Sequence, residues 1–329
     1  MTTTLFVTEP GSYVRTKDGR IVVIVGDKEA VNLRTSQLSA VVIMTTAATI
    51  TGPTLAMLLY EKIPIHFLTG NNQPLGTVTP ASHRNVQRRI NQSHLLLEKG
   101  RLLEFAKAFI DGKLTNSERL LSRLERNRTP GLFSTQRTHF TTARNRIAKA
   151  KSTAAIFGIE GAAAATYFPA FGSALRCGLE FTERSKRPPK DPGNALLSFG
   201  YTLLVGDAVA ALTAAGLDPA IGLLHVPDGS RPSLACDIAE EFRAPVVDAL
   251  VAHLSGTRQL GAADFEDTDF GPRLSPAAKK TFLKAYEERM TEATPKNRVA
   301  LRTALHDQAE KLSSCILEKT VYTPFAWRP

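Results

Sequence analysis

The sequence predicts an α+β protein: a small N-terminal β-sandwich-like domain over residues 1–80, then a large all-helical domain over residues 81–329. Three observations carry this. The N-terminal part holds short runs rich in β-branched residues, separated by turn residues. From about residue 82 onward, apolar residues recur every three to four positions. Between the two, at Thr79–Ser82, a short linker marks the change in composition. A chain of 329 residues, at roughly 150 per domain, also fits two domains.

In order, the expected strands are Leu5–Val7, Ser12–Arg15, Arg20–Val25, Ala30–Leu33 and Ala40–Ile43. Glu9-Pro10-Gly11, Lys17-Asp18-Gly19 and Gly26-Asp27 supply the turns between them, and Asp18-Gly19 reads as a hairpin. Gly52–Glu61 fits a helix with Pro53 in its first turn. Ile63–Leu68 and Leu75–Val78 add two strands around Gly70-Asn71-Asn72, which gives two packed sheets and one helix. In the second domain the helical spacing is clear at Leu95, Leu96, Leu102, Leu103, Ala106 and Ile110, and again at Leu114, Leu120, Leu121 and Leu124. Pro130, Pro188-Pro189, Pro192, Pro219 and Pro227 break the helices.

The composition, 43% apolar and 22% charged, is that of a folded globular chain and excludes disorder, collagen and a coiled-coil rod. No stretch reaches 18 apolar residues without a charge, which argues against a membrane span. Met1–Pro10 lacks a basic region followed by an apolar core, so no secretory signal is expected. Cys177, Cys236 and Cys315 are scattered, without CxxC spacing; neither a disulfide framework nor a zinc site is expected, and a cytoplasmic location is. The P-loop, GxSxG and HExxH motifs are missing from the sequence.

The net charge of +10 is localised. From Arg84 to Lys151 there are 16 Lys/Arg against 5 Asp/Glu, a net of +11, so the rest of the chain sums to −1. Such a segment is either a solvated helix face or the positive field of a polyanion binder. Its richness in arginine, whose planar fork suits phosphate, favours nucleic acid.

Two segments hold candidate chemistry. Glu160 lies in Ile156–Ala165, among small apolar residues that suggest a buried helix. A buried carboxylate needs a cationic partner or a metal. Gly158 and Gly161 flank it and leave room for a ligand or another backbone. The second segment runs from Leu224 to Arg243. His225 is expected to end an apolar helix, Pro227–Gly229 to turn, and a new helix to begin near Ser230 or Arg231. Asp237 and Glu240, three apart, share the face of Leu234, while Glu241 is expected to face solvent. Acids at this spacing usually line a surface, and a histidine at a helix end is usually structural. Together, one imidazole and several carboxylates form a donor set for Mg²⁺ or Mn²⁺.

At these residues the sequence resembles the CRISPR-associated integrase family, the universal adaptation protein that inserts spacers into CRISPR arrays. The resemblance is carried by Gly158-Ile159-Glu160-Gly161, by Arg187-Pro188-Pro189-Lys190-Asp191-Pro192, and by Asn194–Tyr201. It continues through His225, Ser233–Arg243 and Val247-Asp248, in the family's order and over essentially the full length. Cys236 and Ala239 stand where bulkier aliphatic residues are common. Length and the Pro-Pro block look most like versions from class 1 (type I) systems.

The resemblance implies a catalytic Mg²⁺ or Mn²⁺ held by Glu160, His225 and Glu240, with Asp237 as an accessory metal carboxylate. It implies phosphodiester transesterification on double-stranded DNA, in which a 3′-hydroxyl of a spacer fragment attacks the repeat. The expected DNA-binding residues are Arg84, Arg88, Arg89, Arg144, Arg146, Arg184, Arg187 and Arg243. Tyr201 is expected to pack among helices, with Asn194 either positioning DNA or packing. The implied partners are a second copy of the chain, through the N-terminal domain, and a small ferredoxin-like adaptation protein whose dimer is flanked by two such homodimers. The competing readings are a DNA-binding scaffold with a structural metal site and a general metal-dependent nuclease acting on branched DNA. Tyr322–Pro329 is expected to fray, with docking on a partner chain as the alternative.

Overall fold

The computed structural model of the chain describes residues 3–70, 74–80, 86–126, 131–186, 188–225, 231–269, 271–293 and 299–329. The chain divides into two compact units, Met1–Arg84 and Asn85–Pro329.

In the first unit, β1 (Thr3–Val7), β2 (Tyr13–Lys17), β3 (Arg20–Val25), β4 (Lys28–Arg34), β5 (Leu38–Ile43) and β6 (Thr49–Ile50) precede helix α1 (Gly52–Tyr60), followed by β7 (Ile65–Leu68) and β8 (Pro74–Val78). They form two four-stranded sheets, ordered β1-β5-β7-β8 and β4-β3-β2-β6. In the first, β1 and β7 both run parallel to β5, while β8 returns antiparallel to β7. The hairpin read from Asp18-Gly19 is present: Lys17 pairs with Arg20, and both turn residues have positive φ, 50° and 71°. Alternation places Val14 of β2 and Ile21 and Val23 of β3 on a shared core with Leu5, Val41, Ile65 and Leu58 of α1. Thr51 caps α1 by accepting from Thr54 N, and Pro53 sits in the first turn as expected.

The second unit contains α2 (Val86–Leu95), α3 (Lys99–Arg126), α4 (Ser134–Lys149), α5 (Thr153–Ser173), α6 (Pro192–Ala214), α7 (Ser233–Phe242), α8 (Ala249–Gly256), α9 (Pro276–Thr291) and α10 (Leu301–Glu318). Between α7 and α8 the chain passes through a π-helical turn, Arg243–Asp248, around Pro245, whose ring and missing N–H disfavour regular α-helix. The unit is not wholly helical. A short hairpin of β9 (Phe265–Glu266) and β10 (Arg273–Leu274) interrupts it, too short to show alternation in the sequence. Helices α5 and α6 reach the length and hydropathy of a membrane span by composition. Each carries one carboxylate, Glu160 or Asp207; α5 packs on α3 and α4, and α6 on α7 and α10.

Three local expectations change. The Glu160 helix is buried on one face only, through Ile156, Ile159, Ala163 and Tyr167, while Gly158, Gly161 and Ala162 are exposed. His225 does not end a helix; it follows an irregular stretch after α6. The C-terminal segment is packed rather than frayed, with Tyr322 and Trp327 buried.

Candidate functional site

The site is built where α5 and α7 both pack on α3. On α3 the buried positions Phe105, Phe109, Ser117 and Leu121 step by four, and Lys113 falls on the same row. The burial of that stripe directs the Lys113 stem inward. Its ammonium donates to Glu160 Oε1 of α5 and lies 2.8 Å from Glu240 Oε2 of α7. The other oxygen of Glu240, Oε1, is 2.9 Å from Arg243 Nη2. Arg243 in turn lies over the Tyr201 ring at 4.7 Å. Thus Glu160 and Glu240, 80 residues apart in sequence, face one cation.

The electrostatics are those of a buried ion cluster. The Glu240 side chain is 4% exposed, against 20% for Glu160 and 14% for Lys113. Burial opposes charge on Glu240, but Arg243 and Lys113 outweigh it and hold its carboxyl down at about 2. Burial also opposes the charges on Lys113 and Arg243; the carboxylates, Glu240 foremost, outweigh it and raise both. A cavity of about 20 Å³ adjoins the cluster, bordered by Lys113, Glu160, Tyr201, Arg243 and Asp248. A Cβ added at Gly158 or Gly161 would meet nothing within 4 Å, so the solvent side of Glu160 is open among the described residues.

His225 is set by Asp237, a completely buried acid on α7. Asp237 Oδ2 accepts from Leu223 N at 2.7 Å and Leu224 N at 2.9 Å; Oδ1 accepts from His225 N at 3.1 Å and lies 2.6 Å from His225 Nδ1. Beside that carboxylate, which can only accept, Nδ1 is the donor nitrogen, and Nε2 is the nitrogen that Asp237 leaves untouched. Gly222 makes the turn possible: a Cβ there would come within 2.2 Å of His225 O and 2.6 Å of Ser233 Cβ. Phe157 of α5 lies 5.7 Å from the imidazole, ring centre to ring centre. Among the described residues no three of His, Cys, Asp and Glu gather as a ready metal-binding group. The two carboxylates meet through Lys113, and the imidazole is anchored separately by Asp237.

The arginines divide. Arg84 and Arg187 lie outside the described residues. Arg88 donates to Ala215 O and Glu310; Arg144 donates to Asp111; Arg184 donates to Asn194 Oδ1 and Ser198 Oγ. With Arg243 on Glu240, these four are engaged within the fold, whereas Arg89 and Arg146 are exposed. Much of the basic segment is likewise paired internally, by Glu98 with Arg101, Glu104 with Lys107 and Glu125 with Arg137. Tyr201 is buried, and its hydroxyl donates to Asp248 Oδ1 at 2.5 Å. Asn194 is an internal brace, donating to Glu183 O and Asp191.

Two site residues escape a reading of the sequence alone. Nothing in the sequence around Lys113 marks it out, and only the burial of its helical row in the structure does. Glu241, expected at the surface, is fully buried and accepts from the Tyr322 hydroxyl at 2.7 Å and from Phe325 N. Its signal lay in the apolar C-terminal tail.

Residues 5–288 match the family described as CRISPR associated protein Cas1. The chain is 37% identical to a CRISPR-associated endonuclease Cas1 of Thermus thermophilus, covering 82% of this chain and 80% of the relative. It is 33% identical to another of Chlorobaculum tepidum, covering 99% and 98%. It is also 34% identical to a Cas4/Cas1 fusion of Geobacter sulfurreducens, over 94% of this chain but 57% of the fusion. Among solved structures it superimposes on a Cas1 protein from Thermotoga maritima with TM-score 0.83, 24% identity and coverage of 98% and 99%. A casposase bound to integration product gives TM-score 0.87, with 21% identity and coverage of 99% and 95%. The chain belongs to the Cas1 family of CRISPR-associated endonucleases.

Proposed function

We propose that this protein joins DNA strands, transferring the 3′-hydroxyl of a short DNA fragment onto a phosphodiester of a CRISPR repeat. The observation that carries the reading is the convergence of Glu160 and Glu240 on one cationic centre, beside an imidazole whose Nδ1 is fixed by Asp237. The donor set fits a hard divalent ion. Two carboxylates already share a cation, and the buried Glu240 Oε2 has an ion pair there but no aligned hydrogen bond. His225 Nε2 supplies the nitrogen that favours Mn²⁺ alongside Mg²⁺. Glu160, His225 and Glu240 would hold the ion. When bound, it would supply Lewis acidity toward a phosphate and a lowered pKa for the attacking hydroxyl.

The chain's own residues do the rest. Asp237 is a positioning residue rather than the accessory ligand that the resemblance implies, because both of its oxygens are taken by backbone N–H groups and the His225 ring. Arg243 keeps Glu240 ionised and oriented. Overall, one P–O bond forms and one breaks; the attacking hydroxyl loses a proton and the leaving 3′-oxygen gains one. No nucleotide cofactor is consumed, in keeping with a sequence that has no P-loop.

Double-stranded DNA is the substrate in this reading, held in part by exposed Arg89 and Arg146. A homodimer and a small adaptation partner are the proposed assembly, acting in the cytoplasm. The fold likeness to a Cas6-RT-Cas1–Cas2 complex, TM-score 0.85 over all of this chain, supports a partner of that kind. The test is incubation of a labelled 3′-hydroxyl fragment with repeat duplex and Mn²⁺, products sized on a denaturing gel. Joined strands longer than either input support transfer. Cleavage of branched DNA without joining would favour a nuclease, and binding without either would leave a scaffold.

A further inference from the structure

The mechanism above leaves Lys113 without a task, although its ammonium contacts both Glu160 and Glu240. We propose that Lys113 occupies the seat of the divalent cation in the metal-free protein and that the incoming ion displaces it. This rests on reading Glu160 and Glu240 as ligands.

Four features support competition rather than coexistence. Two carboxylates facing each other with Glu240 almost fully buried repel strongly unless a cation lies between them. The Lys113 ammonium meets that need in the metal-free state. A divalent ion held by the same two carboxylates would sit against this ammonium, and like charges at contact in a partly buried site are costly. Of the two cations on Glu240, Arg243 is the fixed one: it takes Oε1 and lies against the Tyr201 ring. Lys113 is the one built to leave, since its four-carbon stem is flexible and makes single-point contacts. The backbone beneath it is pinned, because the neighbouring Gly112 packs against Pro324, where even a Cβ would come within 2.7 Å. Exchange therefore needs rotation of the side chain and no shift of α3.

The consequence is a self-shielded site. Glu160 and Glu240 stay together without metal, and the apparent affinity for the ion is reduced by the fraction of time the seat is occupied. The test uses the full-length protein and Mn²⁺ alone. By calorimetric titration, Lys113→Met binds Mn²⁺ tighter than wild type, by about 10-fold if the seat is nine-tenths occupied. Its metal-free melting temperature falls and its Mn²⁺-induced rise grows. In the wild type, acylation of Lys113 by an amine-reactive ester, read by peptide mass spectrometry, increases on adding Mn²⁺; this arm needs no variant to fold. Equal or weaker Mn²⁺ binding by Lys113→Met, or Lys113 labelling unchanged or reduced by Mn²⁺, overturns the displacement. If Glu240→Gln binds Mn²⁺ as wild type does, the ligand assignment fails instead.

Discussion

Glu240 and Glu241 are neighbours on α7, both buried, and serve different partners one step apart round the helix. Glu240 faces Lys113 and Arg243 in the site, whereas Glu241 anchors the C-terminal tail through the Tyr322 hydroxyl and Phe325 N. Their electrostatics diverge accordingly. Burial pushes the Glu241 carboxyl up to about 8 despite those hydrogen bonds, whereas two cations hold Glu240 at about 2. The tail is thus a brace behind α7. Asn116 of α3 ties it down, donating to Glu241 O and Phe325 O and accepting from Trp327 N; the Phe242 and Phe325 rings stack at 4.4 Å.

Removing this brace should destabilise the second unit. Trp327 is 2% exposed and its carbonyl accepts from Arg119, so Trp327→Ala is expected to cost about 3–5 kcal/mol. Chemical denaturation checks it. A cost below about 1 kcal/mol, the range of ordinary surface changes, would mean that the tail is not a structural part of the fold.

Asp248 provides a pH signature. It accepts from the hydroxyls of Tyr167 and Tyr201, yet burial outweighs both and raises its carboxyl from 3.8 to about 6. A raised acid favours the fold in its protonated form. Its contribution is complete below about pH 3.8 and is lost as pH rises through 6, amounting to about 3 kcal/mol. Asp248→Asn should lose this dependence, so its stability relative to wild type improves by about that amount between pH 4 and 7. Urea unfolding across this window gives the comparison; parallel pH profiles for the two proteins would refute the assignment.

Asp237→Asn isolates the positioning of His225. The amide places an N–H₂ where a carboxylate oxygen accepts from backbone N–H groups or the ring, so the loop and imidazole lose their fixed orientation. Mn²⁺ affinity should fall roughly 10–100-fold while the protein remains folded. Unchanged affinity would show that His225 needs no such support.

The arginines separate by what they touch. Arg89→Ala and Arg146→Ala, at exposed sites, should each weaken DNA binding and lower the salt slope of log Kd by about 1. Arg144→Ala removes a partly exposed ion pair with Asp111, worth about 0–1 kcal/mol of stability, and should leave the slope unchanged. Equal slopes for all three variants would contradict this division.

Local patterns carried much of the fold. The Asp18-Gly19 hairpin, the Gly52 helix with Pro53 in its first turn and the three-to-four-residue apolar spacing of α3 are all set by short-range pattern, where turn chemistry and periodicity act. Glu160, His225 and Glu240 stood out through their surroundings and the family resemblance. What was hidden depends on distant partners. Lys113 becomes meaningful only when α5 and α7 bring their acids to it, and Glu241 is buried only because a tail more than 80 residues away folds over it. The π-helical turn at Pro245 and the two-residue strands of the small hairpin fall below the length at which period shows. Several arginines that read as phosphate contacts are consumed by internal acids and carbonyls, which composition cannot reveal.

The most direct measurement is strand joining by Glu160→Gln and Glu240→Gln with Mn²⁺ present, alongside their DNA affinity. Loss of joining should exceed the roughly 100-fold cost of disturbing a supporting residue, with DNA affinity held within a few fold. Joining at the wild-type rate by both variants would contradict a cation centre built from these two carboxylates.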